Sequence, residues 1–344
     1  MNYEVTIGIP VYNVEKYIRL TMDSALAQTF QSIEFLVLDD CGTDSSMDIV
    51  REYQQTHPRG KDIRIVRQPQ NGGLGRARNR IIEEAQGRYL YHLDADDAIA
   101  PNTIELLYEN AQKHQADIVY GSYERIEEYG ENRRRVPYIY QAKTFEEEDS
   151  FATFAYSSYS SLQCNNWNYL IDIDILRKNN LRVQPVNFWE DLSFTMDLPT
   201  YVHRAVLLPD ITYYYYCRKG SLSNFQKRDH IAKDEILKTI HAVNQNKENT
   251  GRLRGKPYFP RRMYKLLMTD FYMACTILKK RNLIYPAFSK REIRDIMSSP
   301  LSLGEILRFR HVRMPNLILY CFGKLSPFLS VLLMQLLAKQ RKLI

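Results

Sequence analysis

The first 120 residues alternate short apolar runs of strand length with segments of helical spacing, and this alternation constrains the fold more than any other feature. Val5-Thr6-Ile7-Gly8-Ile9, Phe35-Leu36-Val37-Leu38, Ile63-Arg64-Ile65-Val66, Arg88 to Leu93 and Asp117 to Tyr120 read as strands. Between them, Val14 to Gln28, Asp44 to Tyr53, Gly75 to Ala85 and Asn102 to His114 read as helices, with Asp44 or Ser45 available as a cap for the second. Strands alternating with helices of about ten residues or more build βαβ units, so the expected class is α/β with a mostly parallel, Rossmann-like sheet flanked by helices. Residues 124–150 are charge-rich and read as an irregular surface excursion. From Trp167 to Tyr216 the α/β pattern returns, with a helix expected from Asp191 to Val202 and a strand at Thr212 to Cys217. Beyond about residue 230 the pattern is helical and basic.

Composition excludes several classes. Five cysteines, Cys41, Cys164, Cys217, Cys275 and Cys321, are scattered and odd in number, which is neither a disulfide framework nor a zinc site. The N-terminal residues show no basic segment followed by an apolar one, so a cytoplasmic location is expected. The net charge of +7 hides an asymmetry. Residues 1–230 carry 25 Lys and Arg against 33 Asp and Glu, whereas residues 231–344 carry 22 against 7. Such a contrast points to a nucleic-acid or membrane partner. No nucleic-acid-binding module pattern accompanies it, so nucleic acid is the weaker choice.

The chemistry collects where strands end. Tyr89 to Leu93 runs straight into Asp94-Ala95-Asp96-Asp97. Carboxylates one residue apart at a strand's C-terminal end can hold a hard divalent cation beside substrate phosphates, and ligands bind at that edge of open α/β sheets. Alone, the motif also reads as an acidic turn opening a helix, with Pro101 in its first turn. The first strand ends in Pro10-Val11-Tyr12-Asn13 and the second in Asp39-Asp40-Cys41-Gly42-Thr43-Asp44-Ser45, both expected on the same edge as Asp94. Asn71-Gly72-Gly73-Leu74-Gly75-Arg76-Ala77-Arg78 has the look of a dinucleotide loop. Arg78, however, stands where the third glycine belongs, so the arginines fit better as diphosphate or base contacts. Glu190-Asp191, between Trp189 and Leu192, sets a carboxylate at a helix start, where it can serve as a general base or simply as a cap.

Taken in order, these motifs resemble glycosyltransferase family 2, of the GT-A fold, over roughly residues 3–225. Asp23 to Thr29, Ala77-Arg78-Asn79, Trp167-Asn168 and Tyr215-Tyr216-Cys217-Arg218-Lys219-Gly220-Ser221 complete the set. The resemblance implies an inverting transferase that uses a nucleotide-diphosphate sugar, Mg²⁺ or Mn²⁺, and a glycan or lipid-linked acceptor. It implies that Pro10, Tyr12 and Asp39 frame the base, with Glu15, Asn71 and Arg78 nearby. Asp94, Ala95 and Asp96 then form the ribose- and metal-binding motif, Asp96 being the better metal ligand, and Asp191 is the general base. Trp167, Glu190, Arg218 and Ser221 are carried over to the diphosphate or acceptor. Departures from the pattern are Arg80, expected to face solvent, His92, expected in the core, and Tyr169, where relatives often have lysine. Nucleotidyl transfer and non-catalytic binding of a sugar nucleotide are the competing functions.

The expected division is a catalytic domain over 1–230, with a nucleotide-binding half over 1–120 and an acceptor half over 121–230, followed by a helical basic region over 231–344. In the last part, Leu317 to Phe322 and Phe328 to Leu337 are apolar and flanked by Lys and Arg. Neither reaches the ~20 residues that span a bilayer. Both suit a helix lying on an anionic leaflet, so peripheral attachment to the inner face of the cytoplasmic membrane is expected; a helical cap on the catalytic domain is the alternative.

Overall fold

The computed structural model describes residues 3–129, 132–157, 162–186, 190–217 and 230–343. Two compact units divide it. The first comprises Met1–Phe151, Ser161–Pro185 and Glu190–Asn224, and the second Ala152–Ser160, Val186–Trp189 and Phe225–Ile344.

In the first unit the elements run β1 (Val5–Val11), α1 (Ile18–Leu26), β2 (Ile33–Asp39), α2 (Ser46–Thr56), β3 (Ile63–Arg67), α3 (Leu74–Glu84), β4 (Tyr89–His92), β5 (Ala98–Ile99) and α4 (Thr103–His114). They continue as β6 (Ile118–Tyr129), β7 (Asn132–Tyr138), β8 (Lys143–Phe145), α5 (Ser150–Ala155, which runs past the unit's edge), β9 (Tyr169–Asp172), α6 (Ile173–Lys178), α7 (Glu190–Asp197) and β10 (Ala205–Cys217). The main sheet has the order β3-β2-β1-β4-β9-β6-β10-β5, with β7 on β6 and β8 on β10. β3, β2, β1 and β4 are parallel, β9 is antiparallel to both its neighbours, and β6 and β10 are parallel again. Every residue of β1 and β2 is buried, as central parallel strands covered on both faces require. β1 lies between β2 and β4, so the chain's winding reverses there; crevices at such switch points bind ligands.

Two local expectations are corrected. Helix α1 starts at Ile18 because the preceding residues are held elsewhere: the Val14 amide donates to Ser46 Oγ and the Glu15 amide to Asp44 Oδ2, both at 2.9 Å. Within the charge-rich stretch 124–150 lie β7, β8 and the outer half of β6, not an irregular excursion. Opposite charges meet across the β6–β7 ladder, as in the 3.0 Å pair of Arg135 with Glu124.

The second unit holds the two-stranded β11 (Ile231–Ala232) and β12 (Ile284–Tyr285) with helices α8 (Lys233–Asn249), α9 (Phe259–Lys279), α10 (Lys290–Ile296), α11 (Leu303–Leu307), α12 (Arg313–Lys324) and α13 (Pro327–Gln340). Its interior holds three charged side chains among the described residues, Arg262, Lys247 and Asp270. Arg262, fully buried, donates to Tyr156 Oη and Thr250 Oγ1, and Lys247 pairs with Asp270 at 2.8 Å. Among the described residues no helix is long and apolar enough to cross a membrane.

Candidate active site

Three parallel strands deliver their C-terminal ends to one edge. Asp39, the last residue of β2, is buried and turns one carboxylate oxygen to the Cys41 amide at 2.9 Å, with Arg67 3.5 Å from the other. Pro10 is buried in β1, and Tyr12 just beyond it is 48% exposed, an aromatic face left open to a ligand. Glu15 is tied to the loop after β2: its Oε2 accepts from the Ser45 amide while its own amide reaches Asp44. Asp40 explains the glycine loop. Its carboxylate accepts from the amides of Gly72 (2.8 Å) and Gly73 (3.0 Å), and its backbone oxygen accepts from Asn71 Nδ2. The loop's amides therefore bind a carboxylate of this chain, where a dinucleotide fold would bind pyrophosphate. Gly73 has φ +76°, a region that favours glycine, and it leads directly into α3.

Helix α3 presents Arg78. Its guanidinium is 1% exposed and bridges two acidic groups, donating to Asp94 Oδ1 at 2.9 Å and to Asp191 Oδ1 at 2.5 Å. Asp94 and Asp191 are themselves about a quarter exposed, so each keeps access to solvent on its outer side. Asn79, the next residue, exchanges two 2.8 Å hydrogen bonds with the backbone of Val183, fixing the strap that precedes α7. Gly75 permits that approach, since a Cβ there would lie 2.6 Å from the Gln184 carbonyl oxygen. Arg80 points outward and pairs with Glu84 at 2.6 Å. His92 is buried, and desolvation, reinforced by Arg78, lowers its pKa to about 3, so the ring stays neutral.

The acidic turn itself is braced from β10, a feature not evident from the motif. Asp97 is buried, with Oδ2 accepting from the Tyr213 hydroxyl at 2.7 Å and Oδ1 from the Tyr216 amide at 2.8 Å. Burial first, then Asp96 and Asp94, push the Asp97 pKa well above the usual carboxylate range. The same Tyr213 hydroxyl accepts from the Asp94 amide at 3.4 Å. Burial, with Asp97 and Asp94 beside it, drives the Tyr213 pKa well upward, which keeps the hydroxyl a donor. Trp167 is buried against this strand, stacked on Tyr213 (4.3 Å between centroids) and on Tyr215 (5.4 Å). The sequence shows an unbroken run, Tyr213 to Tyr216, and period two in a strand puts 213 and 215 on one face without marking which face meets the turn.

Ala95 is buried in the turn, and Asp96 is half-buried beside it. Among the described residues no group of three or more His, Cys, Asp or Glu converges on a common point. Two carboxylates at 94 and 96 nonetheless match the donor set of a Mg²⁺ that takes its other ligands from phosphate and water. Glu190 opens α7. Arg218 and Ser221 lie outside the described residues.

The family model described as Glycosyl transferase family 2 matches residues 6–165. The chain belongs to glycosyl transferase family 2. The family 2 chain is 30% identical over 231 residues to glycosyltransferase GlyA of Streptococcus pneumoniae, covering 64% of this chain and 31% of GlyA. It is 30% identical over 236 residues to the uncharacterized glycosyltransferase EpsJ of Bacillus subtilis, covering 68% and 66%. Thus the chain spans about a third to two thirds of the length of these relatives. The crystal structure of S. aureus TarS in complex with UDP superposes with a TM-score of 0.62 at 17% identity, over 93% of this chain and 90% of that one. At that identity the likeness shows the fold, which is GT-A. The family match ends before Asp191, so the ion pair with Arg78 joins the matched stretch to a residue beyond it.

Proposed function

We propose that this chain is a metal-dependent, inverting glycosyltransferase that moves a sugar from a nucleotide-diphosphate donor to an acceptor hydroxyl in polysaccharide or surface-glycan assembly. The observation that carries the reading is the joining of Asp94 and Asp191 by Arg78 at the sheet edge. It sets a carboxylate suited to the donor's diphosphate end beside one suited to activating an acceptor.

In this reading Tyr12, Pro10 and Asp39 frame the base, and Glu15 and Asn71 shape the loops around it. Asp94 and Asp96 would hold Mg²⁺ or Mn²⁺, which when bound offsets the negative charge left on the departing diphosphate. Arg78 keeps Asp94 and Asp191 at a fixed spacing. Asp191 accepts the proton of the acceptor hydroxyl as that oxygen bonds to the anomeric carbon and the sugar–phosphate bond breaks on the opposite face. A single displacement of this kind inverts the configuration. Trp167 acts through Tyr213 by supporting the acidic turn, while Glu190, Arg218 and Ser221 are assigned to the diphosphate or acceptor. The TarS complex holds UDP in the same fold, which supports a uridine diphosphate sugar as the first donor to test. The acceptor is a glycan or lipid-linked sugar met at an anionic cytoplasmic leaflet.

The test is release of nucleoside diphosphate from a panel of UDP- and GDP-sugars by the full chain with Mn²⁺ and a mixed lipid-linked and soluble acceptor set. Transfer should vanish on chelation, return with Mn²⁺, and be lost in Asp191→Asn and Asp96→Ala variants whose thermal melts match the parent. Undiminished transfer by both variants would sink the reading.

A further inference from the structure

Helix α13 carries apolar side chains on every side, with Ser330, Gln335, Lys339 and Gln340 its polar residues, yet only one side of it is covered. Ser330, Val331, Met334 and Ala338 are buried, whereas Phe328, Leu329, Leu332 and Leu336 are 63, 40, 40 and 56% exposed. Positions 328, 332 and 336 fall on one stripe of the helix. A helix with apolar side chains on every side belongs in an apolar setting, so the open stripe lacks its partner. The preceding α12 repeats the pattern, burying Asn316, Leu319 and Phe322 while Met314 and Ile318 are 60 and 50% exposed. At 14 residues, α13 extends about 21 Å and is too short to cross a bilayer.

The charge around these stripes selects the partner. No Asp or Glu follows Glu305 in the chain, while Arg308, Arg310, Arg313, Lys324, Lys339 and Arg341 do. Lys290 Nζ sits 4.6 Å over the Phe328 ring, placing a cation at the margin of the apolar stripe. A second copy meeting this surface would bring like charges together, which opposes self-association. An anionic bilayer surface complements both parts, with acyl chains for the stripe and headgroups for the basic rim.

We infer that the outward stripes of α12 and α13 are a docking face for an anionic phospholipid leaflet. This names the surface for the leaflet invoked above and is independent of the chemistry at Asp191. It is tested with the full chain and sedimented vesicles of pure phosphatidylcholine or of phosphatidylcholine with phosphatidylglycerol. Binding is expected only to the anionic vesicles and should weaken when salt is raised from about 0.1 M to about 0.5 M. The triple variant Phe328→Ser, Leu332→Ser, Leu336→Ser should bind at least about tenfold more weakly, because it removes apolar area that enters the leaflet. All three side chains are exposed, so its melting temperature should match the parent. Release of nucleoside diphosphate with a soluble acceptor, measured in parallel, separates failure of docking from failure of the transferase reading. Absence of vesicle binding, binding unaffected by the triple variant, or a dimer in solution that the triple variant dissociates would each overturn the inference.

Discussion

Arg78 and Asp191 stand 113 positions apart in the chain and meet at 2.5 Å, with the other arm of the same guanidinium on Asp94. A planar fork can hold two carboxylates at a set spacing, and an ammonium on a flexible stem cannot. Arg78→Lys should therefore keep the local charge and lose the spacing. The expected result is a fall in kcat of about 100-fold, the scale reached when a reacting geometry is misplaced by about 1 Å, with a smaller change in donor KM. Arg78→Met should also destabilise the fold, by less than the roughly 3–5 kcal/mol of a fully buried pair because both carboxylates reach solvent. Steady-state kinetics and thermal melts check both.

Tyr213 connects β10 to the acidic turn by one hydroxyl, which donates to Asp97 and accepts from the Asp94 amide. Tyr213→Phe keeps the stack on Trp167 and deletes only that oxygen. It should cost about 1–3 kcal/mol, the penalty for leaving a buried polar group without its partner. Lower transfer at saturating donor should accompany it, because the turn that carries Asp94 and Asp96 loses its brace. Denaturant titration and turnover at saturating donor read the two effects.

In the second unit, Lys247 and Asp270 form a buried pair, and Lys247 also donates to the Ser298 carbonyl at 3.0 Å. Lys247→Met strands a carboxylate in the interior and should destabilise by about 3–5 kcal/mol. Replacing both, as Lys247→Met with Asp270→Leu, should recover most of that loss, since a well-packed apolar pair commonly matches a buried ion pair. A double-mutant cycle by chemical denaturation measures the difference.

Glu292 closes a capping box with Ser289 at the start of α10. The hydrogen bond from Lys233, then those from Ser289, lower its pKa from 4.5 to about 2. A carboxylate depressed on folding stabilises the native state above its unfolded value and loses that contribution as the pH falls through the folded one. Stability should thus decline from about pH 4.5 toward pH 2, and Glu292→Gln should flatten that part of the profile. Melting temperature against pH in the two proteins decides it.

The strands nearest the site were legible because β1 and β2 are covered on both faces, leaving continuous apolar runs that periodicity detects. The outer half of β6 and all of β7 were hidden by their charges: Glu124 and Arg135 stabilise each other across the ladder, a partnership no single stretch of sequence displays. The glycine loop was half legible. Its departure from the dinucleotide pattern was visible at Arg78, but the carboxylate that fills it, Asp40, comes from 32 residues upstream of Gly72. Asp97 was least legible. It reads as a turn acid in sequence and is a buried anchor in space, because its partner Tyr213 is 116 positions away.

One continuous stretch of chain, from Pro10 to Asp97, supplies every strand-end residue of the site, and among the contacts that tie it to the downstream half are two pairs of site side chains: Arg78 with Asp191, and Asp97 with Tyr213. Recombination between relatives downstream of Asp97 therefore has two conditions to meet. The incoming half must bring a carboxylate to Arg78 and a hydroxyl to Asp97. Lineages that keep those two matches can exchange the rest as a module, diversifying one side of the crevice while inheriting the other intact.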